Sequence, residues 1–116
     1  MTEQIRRLYV ANAFSLQMLP ETKEVLLRIK EIDVTMASEI LRSRQFVSAV
    51  GHESTAKLLT ALLGVEVPYN RIQVRLQKGD RLLVFQLLTR LEEGRVLDED
   101  ELRRLPHKFY IVEVVE

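Results

Sequence analysis

The chain contains no cysteine, only two histidines and only four glycines among its 116 residues. The absence of cysteine excludes disulfides, zinc knuckles and thiol catalysis. No apolar run approaches the roughly 18–20 residues that cross a membrane. The polar residues 1–7 lead directly into a strand-like run and do not resemble a signal peptide. A cytoplasmic protein with no membrane partner is therefore expected.

Neither sign of charge is in excess, since 17 Lys and Arg residues balance 17 Asp and Glu residues. A protein that binds duplex nucleic acid through bulk electrostatics usually carries a basic excess, so no duplex partner is expected. A small phosphate ligand needs only a few local cations, and neutrality leaves such a ligand open.

The periodicity of apolar residues predicts one domain over residues 1–116, with a core of its own. The predicted strands are residues 7–11, 24–32, 46–50, 71–77, 82–88 and 109–115. The predicted helices are residues 35–42, residues 54–63 and a short one that begins at Asp98. This pattern is typical of an α+β (mixed α/β) class, with one twisted mixed sheet of five or six strands and flanking helices.

Several local signals support these elements. Thr35 is predicted to cap the first helix, and Gly64 to end the second, whose buried stripe is Leu58, Leu59 and Leu62. Residues 71–77 alternate strictly between polar and apolar side chains, and Lys78-Gly79-Asp80 is predicted to be a hairpin loop.

The most informative motif is VGHEST at residues 50–55. A short β-branched run ends at Gly51, His52 follows, and a hydroxyl-rich helix start comes next. This order places an imidazole beside backbone N–H groups, where a phosphate can bind and a proton can be moved. A helix-capping or loop histidine explains the same residues. The only other histidine is His107, with no carboxylate spacing typical of a metal site, so a metal-free role as general acid or base is the functional interpretation.

The other candidates are weaker taken singly. Gln86 lies within an apolar strand, where it is either paired in the core or in contact with a ligand. A solvated charged turn explains Arg90 and Glu93 without any ligand. Turn chemistry explains Asn12 and Ser15, and a solvent-facing strand explains Arg71.

Five blocks of sequence, in order along nearly the whole chain, carry a resemblance to a known family. They are residues 9–15 with Met18 and Leu19 behind them, and residues 50–55, 70–74, 90–97 and 109–114. Together they resemble the viral-type ring nucleases, the anti-CRISPR enzymes of archaeal viruses, phages and some bacteria that disarm type III immunity.

The resemblance implies a homodimer built on a mixed sheet with flanking helices. It implies binding of cyclic tetra-adenylate and metal-independent cleavage to linear di-adenylate, without a cofactor. By position, His52 matches the catalytic histidine and Glu93 the acidic residue that supports it, while residues 89–105 resemble a mobile lid. The positions that match ligand-binding residues are Asn12, Ser15, Gly51, Arg71, Gln86 and Arg90.

Three other functions fit the same residues, and one of them is a purely structural dimerisation protein. A non-catalytic protein could sequester the cyclic nucleotide in the same pocket without cutting it. A viral regulator could bind nucleic acid through its arginines, although the neutral net charge disfavours this.

Overall fold

The computed structural model describes residues 6–88 and 99–115 of the chain. Among these residues, no helix is long and apolar enough to cross a membrane. The described part contains five strands, three α-helices and one short 3₁₀ turn (Leu16–Met18). In chain order the strands and α-helices are β1 (Leu8–Ala11), β2 (Leu27–Ile32), α1 (Val34–Ser43), β3 (Val47–Ser48), α2 (Glu53–Leu63), β4 (Arg81–Leu87), α3 (Glu99–Arg104) and β5 (His107–Val114).

The five strands form one mixed sheet in the order β2-β5-β4-β1-β3. Strand β1 is parallel to β3 and to β4, while β5 is antiparallel to both β4 and β2. The predicted α+β class with a single mixed sheet is confirmed, and β4 is its central strand. Because β1, β3 and β4 are parallel, their carboxyl ends meet at one edge of the sheet.

One face of the sheet, here called the helix face, packs against α1 and α2. Its core contains sheet residues such as Val10 and Phe85, together with α2 residues such as Leu58 and Leu59. Leu62, predicted to be buried with them, is only half-buried. Helix α2 ends as predicted at Gly64, whose positive φ of 66° is a conformation that favours glycine.

Within residues 6–88 and 99–115, the opposite face, here called the loop face, is covered by irregular chain and the 3₁₀ turn, and not by α-helices. Its buried cluster joins Tyr9, Leu82 and Val112 of the sheet to Val74 and Leu76. Partly buried side chains that pack against this cluster are Phe14, Met18, Val25, Leu27 and Tyr110.

The predicted strand at residues 71–77 is wrong, because this segment belongs to that covering layer. Val74 and Leu76 are buried as the alternation predicted, but Ile72 is 43% exposed and no strand is formed. The backbone N–H of Leu76 donates to the carbonyl of Met18 at 2.7 Å, within the same layer. Alternation shows that one side of a segment is buried, and that condition is met equally by an extended segment lying against a sheet face.

The predicted hairpin loop is also different in the structure. Lys78 and Gly79 form a turn, but the segment before it is not a strand, so the turn does not join two paired strands. The buried carboxylate of Asp80 holds this turn, because it accepts from the backbone N–H groups of Gln77 (2.8 Å) and Arg7 (2.9 Å).

The N-cap of helix α1 lies two residues earlier than predicted. The cap is Asp33, whose carboxylate accepts from the backbone N–H of Met36 at 2.8 Å, and not Thr35. An acceptor side chain is favoured at the position before the first helical residue, and both residues satisfy that preference by type. The backbone path out of β2 decides between them.

All five strands differ from their predicted bounds, but β1 only begins one residue later and β4 is only shifted by one residue. Strand β2 begins at Leu27 and not at residue 24, β3 is reduced to Val47–Ser48, and β5 begins at His107. The predicted start of the last helix at Asp98 lies outside the described residues.

Candidate functional site

The predicted site residues gather at the edge of the sheet where the parallel strands end. Asn12 directly follows β1, Gly51 and His52 lie between β3 and α2, and Gln86 is the next-to-last residue of β4. The chain reaches β3 on one side of β1 and returns through α2 to β4 on the other side. Ligands of open α/β sheets bind at such a reversal, outside the carboxyl ends of the strands. We call this group of residues the carboxyl-edge site.

Asn12 and Gly51 are connected directly. The backbone N–H of Gly51 donates to the side-chain Oδ1 of Asn12 at 3.4 Å, a long hydrogen bond. Val50, fully buried in the helix-face core, fixes the chain just before Gly51. The turn between β3 and α2 is therefore tied both to the core and to the end of β1.

Arg71 covers Gly51. A Cβ atom placed on Gly51 would lie 3.5 Å from Cγ of Arg71, so the aliphatic part of this arginine lies in van der Waals range of the glycine. Two bonds from the preceding residue hold it there: the backbone N–H of Asn70 donates to the carbonyl of Val50 (2.9 Å), and its side-chain amide to the carbonyl of Ser48 (2.7 Å). Arg71 therefore does not lie in the predicted solvent-facing strand but is held over the turn at Gly51.

Asn70 holds the site together, and the sequence did not indicate this role. Asparagine is common in turns, and its position after Pro68 predicted nothing more than a turn. Its contacts join segments far apart in the sequence, which no local pattern reports.

His52 is the N-cap residue of α2, but its side chain makes no capping hydrogen bond. The backbone at His52 is extended, with φ −135° and ψ 128°, and the residue is exposed. The N–H groups of the first turn of a helix have no intrahelical acceptor, and the helix dipole favours an anion there. The imidazole is thus accessible, and it lies next to backbone donors suited to a phosphate.

Of the two alternatives for Gln86, the core pairing is wrong, because the residue is exposed and needs no core partner. It lines a cavity of about 370 Å³ on the loop face, which we call the loop-face cavity. The residues that line this cavity are Asn12, Ala13, Phe14, Ile29, Val84, Gln86, Tyr110 and Val112. Asn12 therefore belongs both to the turn that carries His52 and to a mainly apolar cavity with two amide side chains.

One further predicted residue, Ser15, is not brought into this group. Ser15 is exposed, its side chain caps nothing, and it does not line the loop-face cavity. Glu93 and Arg90 lie outside the described residues, as does the first part of the predicted lid. The described remainder of that lid includes α3.

The second histidine, His107, is held by contacts within the fold. Nδ1 of His107 is 2.7 Å from the carbonyl of Leu105, and its ring packs against Phe85 and Phe109 on the helix face. Over residues 6–88 and 99–115, no group of three or more His, Asp or Glu side chains could hold a metal ion.

The chain is similar to proteins of archaeal viruses and to a bacterial protein. It is 45% identical over 109 residues to protein 26 of Sulfolobus islandicus filamentous virus, covering 93% of this chain and 92% of that one. It is 36% identical over 97 residues to ORF116 of Acidianus filamentous virus 1, covering 84% and 83% of the two chains. A bacterial relative, YddF of Bacillus subtilis, is 32% identical over 68 residues, which are 59% of this chain and 63% of YddF.

The fold is also similar to a solved structure. B116 of Sulfolobus turreted icosahedral virus matches with a TM-score of 0.83 and 31% identity, over 92% of this chain and 98% of that one. The model of the STIV B116-like family matches residues 8–110. This chain belongs to the STIV B116-like family.

Proposed function

We propose that this protein is a metal-independent ring nuclease. It binds cyclic tetra-adenylate across a homodimer interface, cleaves it to linear di-adenylate and so switches off type III CRISPR signalling. The observation that carries this proposal is the accessible imidazole of His52 at the start of α2, next to Gly51. The sequence resemblance to ring nucleases and the relatives in archaeal viruses support it.

The carboxyl-edge site offers two kinds of contact that such a ligand needs. The first turn of α2 and the guanidinium of Arg71 supply donors for a phosphate. The loop-face cavity has an apolar lining for an adenine ring, and Asn12 and Gln86 supply amide groups for its polar edge. The proposed ligand thus spans from the helix start to the loop face.

The chemistry requires no metal, because RNA carries its own nucleophile. The ribose 2′-oxygen attacks the adjacent phosphorus and loses its proton to solvent, while the bond between phosphorus and the 5′-oxygen breaks. His52, as imidazolium, donates its proton to the departing 5′-oxygen. The products are a 5′-hydroxyl and a 2′,3′-cyclic phosphate. Glu93 is proposed to orient the imidazole, and Arg90 to stabilise the charge on the phosphorane.

Symmetry supports a dimeric site. A cyclic tetranucleotide has rotational symmetry, and a two-fold dimer presents the same surface twice. Two copies of His52 would then face opposite phosphates of one ring, and two cuts would release identical halves. A dimer would also bring the cations of two chains to one ring, so a neutral chain is compatible with a polyanionic ligand.

The test measures cleavage of labelled cyclic tetra-adenylate in EDTA by wild type, by His52→Ala and by Lys57→Ala. Lys57 is an exposed cation on the same helix, outside the site, and serves as the matched control. We expect the histidine variant to lose at least about 100-fold in turnover while still binding the ring. The lysine variant should cleave like wild type. Unchanged turnover in His52→Ala would contradict the assigned role.

Product analysis of the same reactions distinguishes cleavage from sequestration. Linear di-adenylate supports the ring nuclease. If the intact ring is recovered after the protein is denatured, the protein binds the ring without cleaving it, and the nuclease proposal is wrong. Rings of three and six adenylates in parallel reactions report the preference for ring size.

A further inference from the structure

The amino ends of β1 and β3 form a groove of about 1010 Å³, at the edge of the sheet opposite to the carboxyl-edge site. Two short segments line it: residues 6–8, which lead into β1, and residues 42–47, which lead into β3. We call it the basic groove. Four of its nine lining residues are arginines, namely Arg6, Arg7, Arg42 and Arg44, and none of the nine is acidic.

These arginines have few partners within the chain. Among the described residues, the ion pairs involve Arg28, Arg75 and Lys108, and none of the four groove arginines. Among the described residues, no carboxylate lines the groove itself, and the buried carboxylate of Asp80 lies beside it, bonded to the backbone N–H of Arg7 at 2.9 Å. Four like charges around one groove repel one another, and a multiply charged anion relieves that repulsion.

Part of the groove is already organised. One guanidinium nitrogen of Arg44 donates to the carbonyl of Arg6 at 2.6 Å, which links the two lining segments. A guanidinium has five N–H donors, so most of those on Arg44 remain for a ligand. A hydrogen bond to the Tyr9 side chain raises the pKa of Arg7, with a smaller contribution from Asp80.

We propose that the basic groove binds a polyphosphate, such as the triphosphate group of a nucleotide or inorganic tripolyphosphate. Arginine matches phosphate geometry with paired N–H donors, and neither Arg42 nor Arg44 is in an ion pair of the described residues. The four cations come from two facing segments around a single groove, an arrangement that fits a compact anion better than an extended strand. The apolar side chains of Phe46 and Val47 at the same groove offer a surface for an attached base.

This site is independent of the proposed cleavage. It lies at the amino ends of the parallel strands, whereas His52, Gly51 and Asn12 lie at their carboxyl ends. A polyphosphate could therefore bind while the carboxyl-edge site is occupied.

The test is calorimetric titration of the full chain, without magnesium, with tripolyphosphate, ATP and a single-stranded oligothymidylate at equal phosphate concentration. The test variant is Arg42→Ala with Arg44→Ala. The control variant is Arg28→Ala with Lys30→Ala, which removes the same charge from the exposed strand β2. We expect tripolyphosphate and ATP to bind, with at least about tenfold weaker binding in the test variant and no change in the control.

Each other outcome overturns the proposal. Equal losses in both double variants would mean attraction by net charge alone. Tighter binding of the oligonucleotide would mean a strand-binding surface, and binding of ATP without tripolyphosphate would mean recognition of the nucleoside. Loss of tripolyphosphate binding in Arg71→Ala would place the anion at the carboxyl-edge site.

Folding of the variants is checked by thermal unfolding. The single variant Arg42→Ala serves as a second probe if the loss of Arg44 prevents folding, because no hydrogen bond of the described residues involves the Arg42 side chain. It should still weaken tripolyphosphate binding, and wild-type affinity in it would contradict the proposal.

Discussion

The side-chain amide of Asn70 donates a 2.7 Å hydrogen bond to the backbone carbonyl of Ser48. With the second bond, from its own N–H to Val50, it fastens the start of the loop-face layer to the strand that carries Gly51 and His52. Arg71 follows directly and lies against Gly51. The position of Arg71 therefore depends on Asn70, which need not contact the ligand itself.

Asn70→Ala should lower both stability and activity. The change removes the bond to Ser48 and leaves a partly buried carbonyl without its partner, which costs about 1–3 kcal/mol in the free energy of unfolding. Because Arg71 is then less well placed, the KM for cyclic tetra-adenylate should rise more than kcat falls. Urea denaturation and steady-state kinetics measure the two effects.

The control for that experiment is Gln73→Ala, an exposed position in the same segment. It should leave stability and kinetics close to wild type. If Asn70→Ala behaves like the control, Asn70 does not position Arg71.

Asp33→Ala and Thr35→Ala should differ in their effect on stability. Asp33 accepts from the N–H of Met36 and caps α1, so its loss should cost about 0.5–2 kcal/mol. Thr35 lies inside the first turn and is exposed, so its replacement should change the free energy of unfolding little. Urea denaturation of both variants decides which residue is the cap, and a larger cost at Thr35 would contradict the structure.

Asp80→Ala should be strongly destabilising. Its carboxylate is buried, with the residue only 2% exposed, and it accepts from two backbone N–H groups. Hydrogen bonds to a charged group contribute about 1.5–3 kcal/mol each, so a loss of roughly 3 kcal/mol or more is expected. Asp80→Asn, which keeps one acceptor oxygen, should lose less. Thermal and urea unfolding measure the series.

The comparison for Asp80 is Glu39→Ala, which removes an exposed carboxylate from α1. A similar small change in both alanine variants would show that the two bonds to Asp80 contribute little.

The sequence predicted those parts of the site that depend on neighbouring residues. A β-branched run, a glycine and a hydroxyl-rich helix start placed His52 correctly at the beginning of α2. A core partner for Gln86 was the wrong alternative, because an apolar run suggests burial on both faces, whereas Gln86 is exposed in the described part of the chain. The same local logic failed for residues 71–77 because a periodicity of two identifies a buried side and not the partner that buries it.

The sequence by itself determined the α+β class and the end of α2 at Gly64, because capping and periodicity are encoded within a few adjacent residues. Only the tertiary structure decided that Asn12 meets Gly51 and that Asn70 meets Ser48, pairs separated by 39 and 22 residues. These contacts arise because parallel strands bring their carboxyl ends to one edge, whatever the distance between them along the chain. The same parallel order places the basic groove at the opposite edge, away from His52.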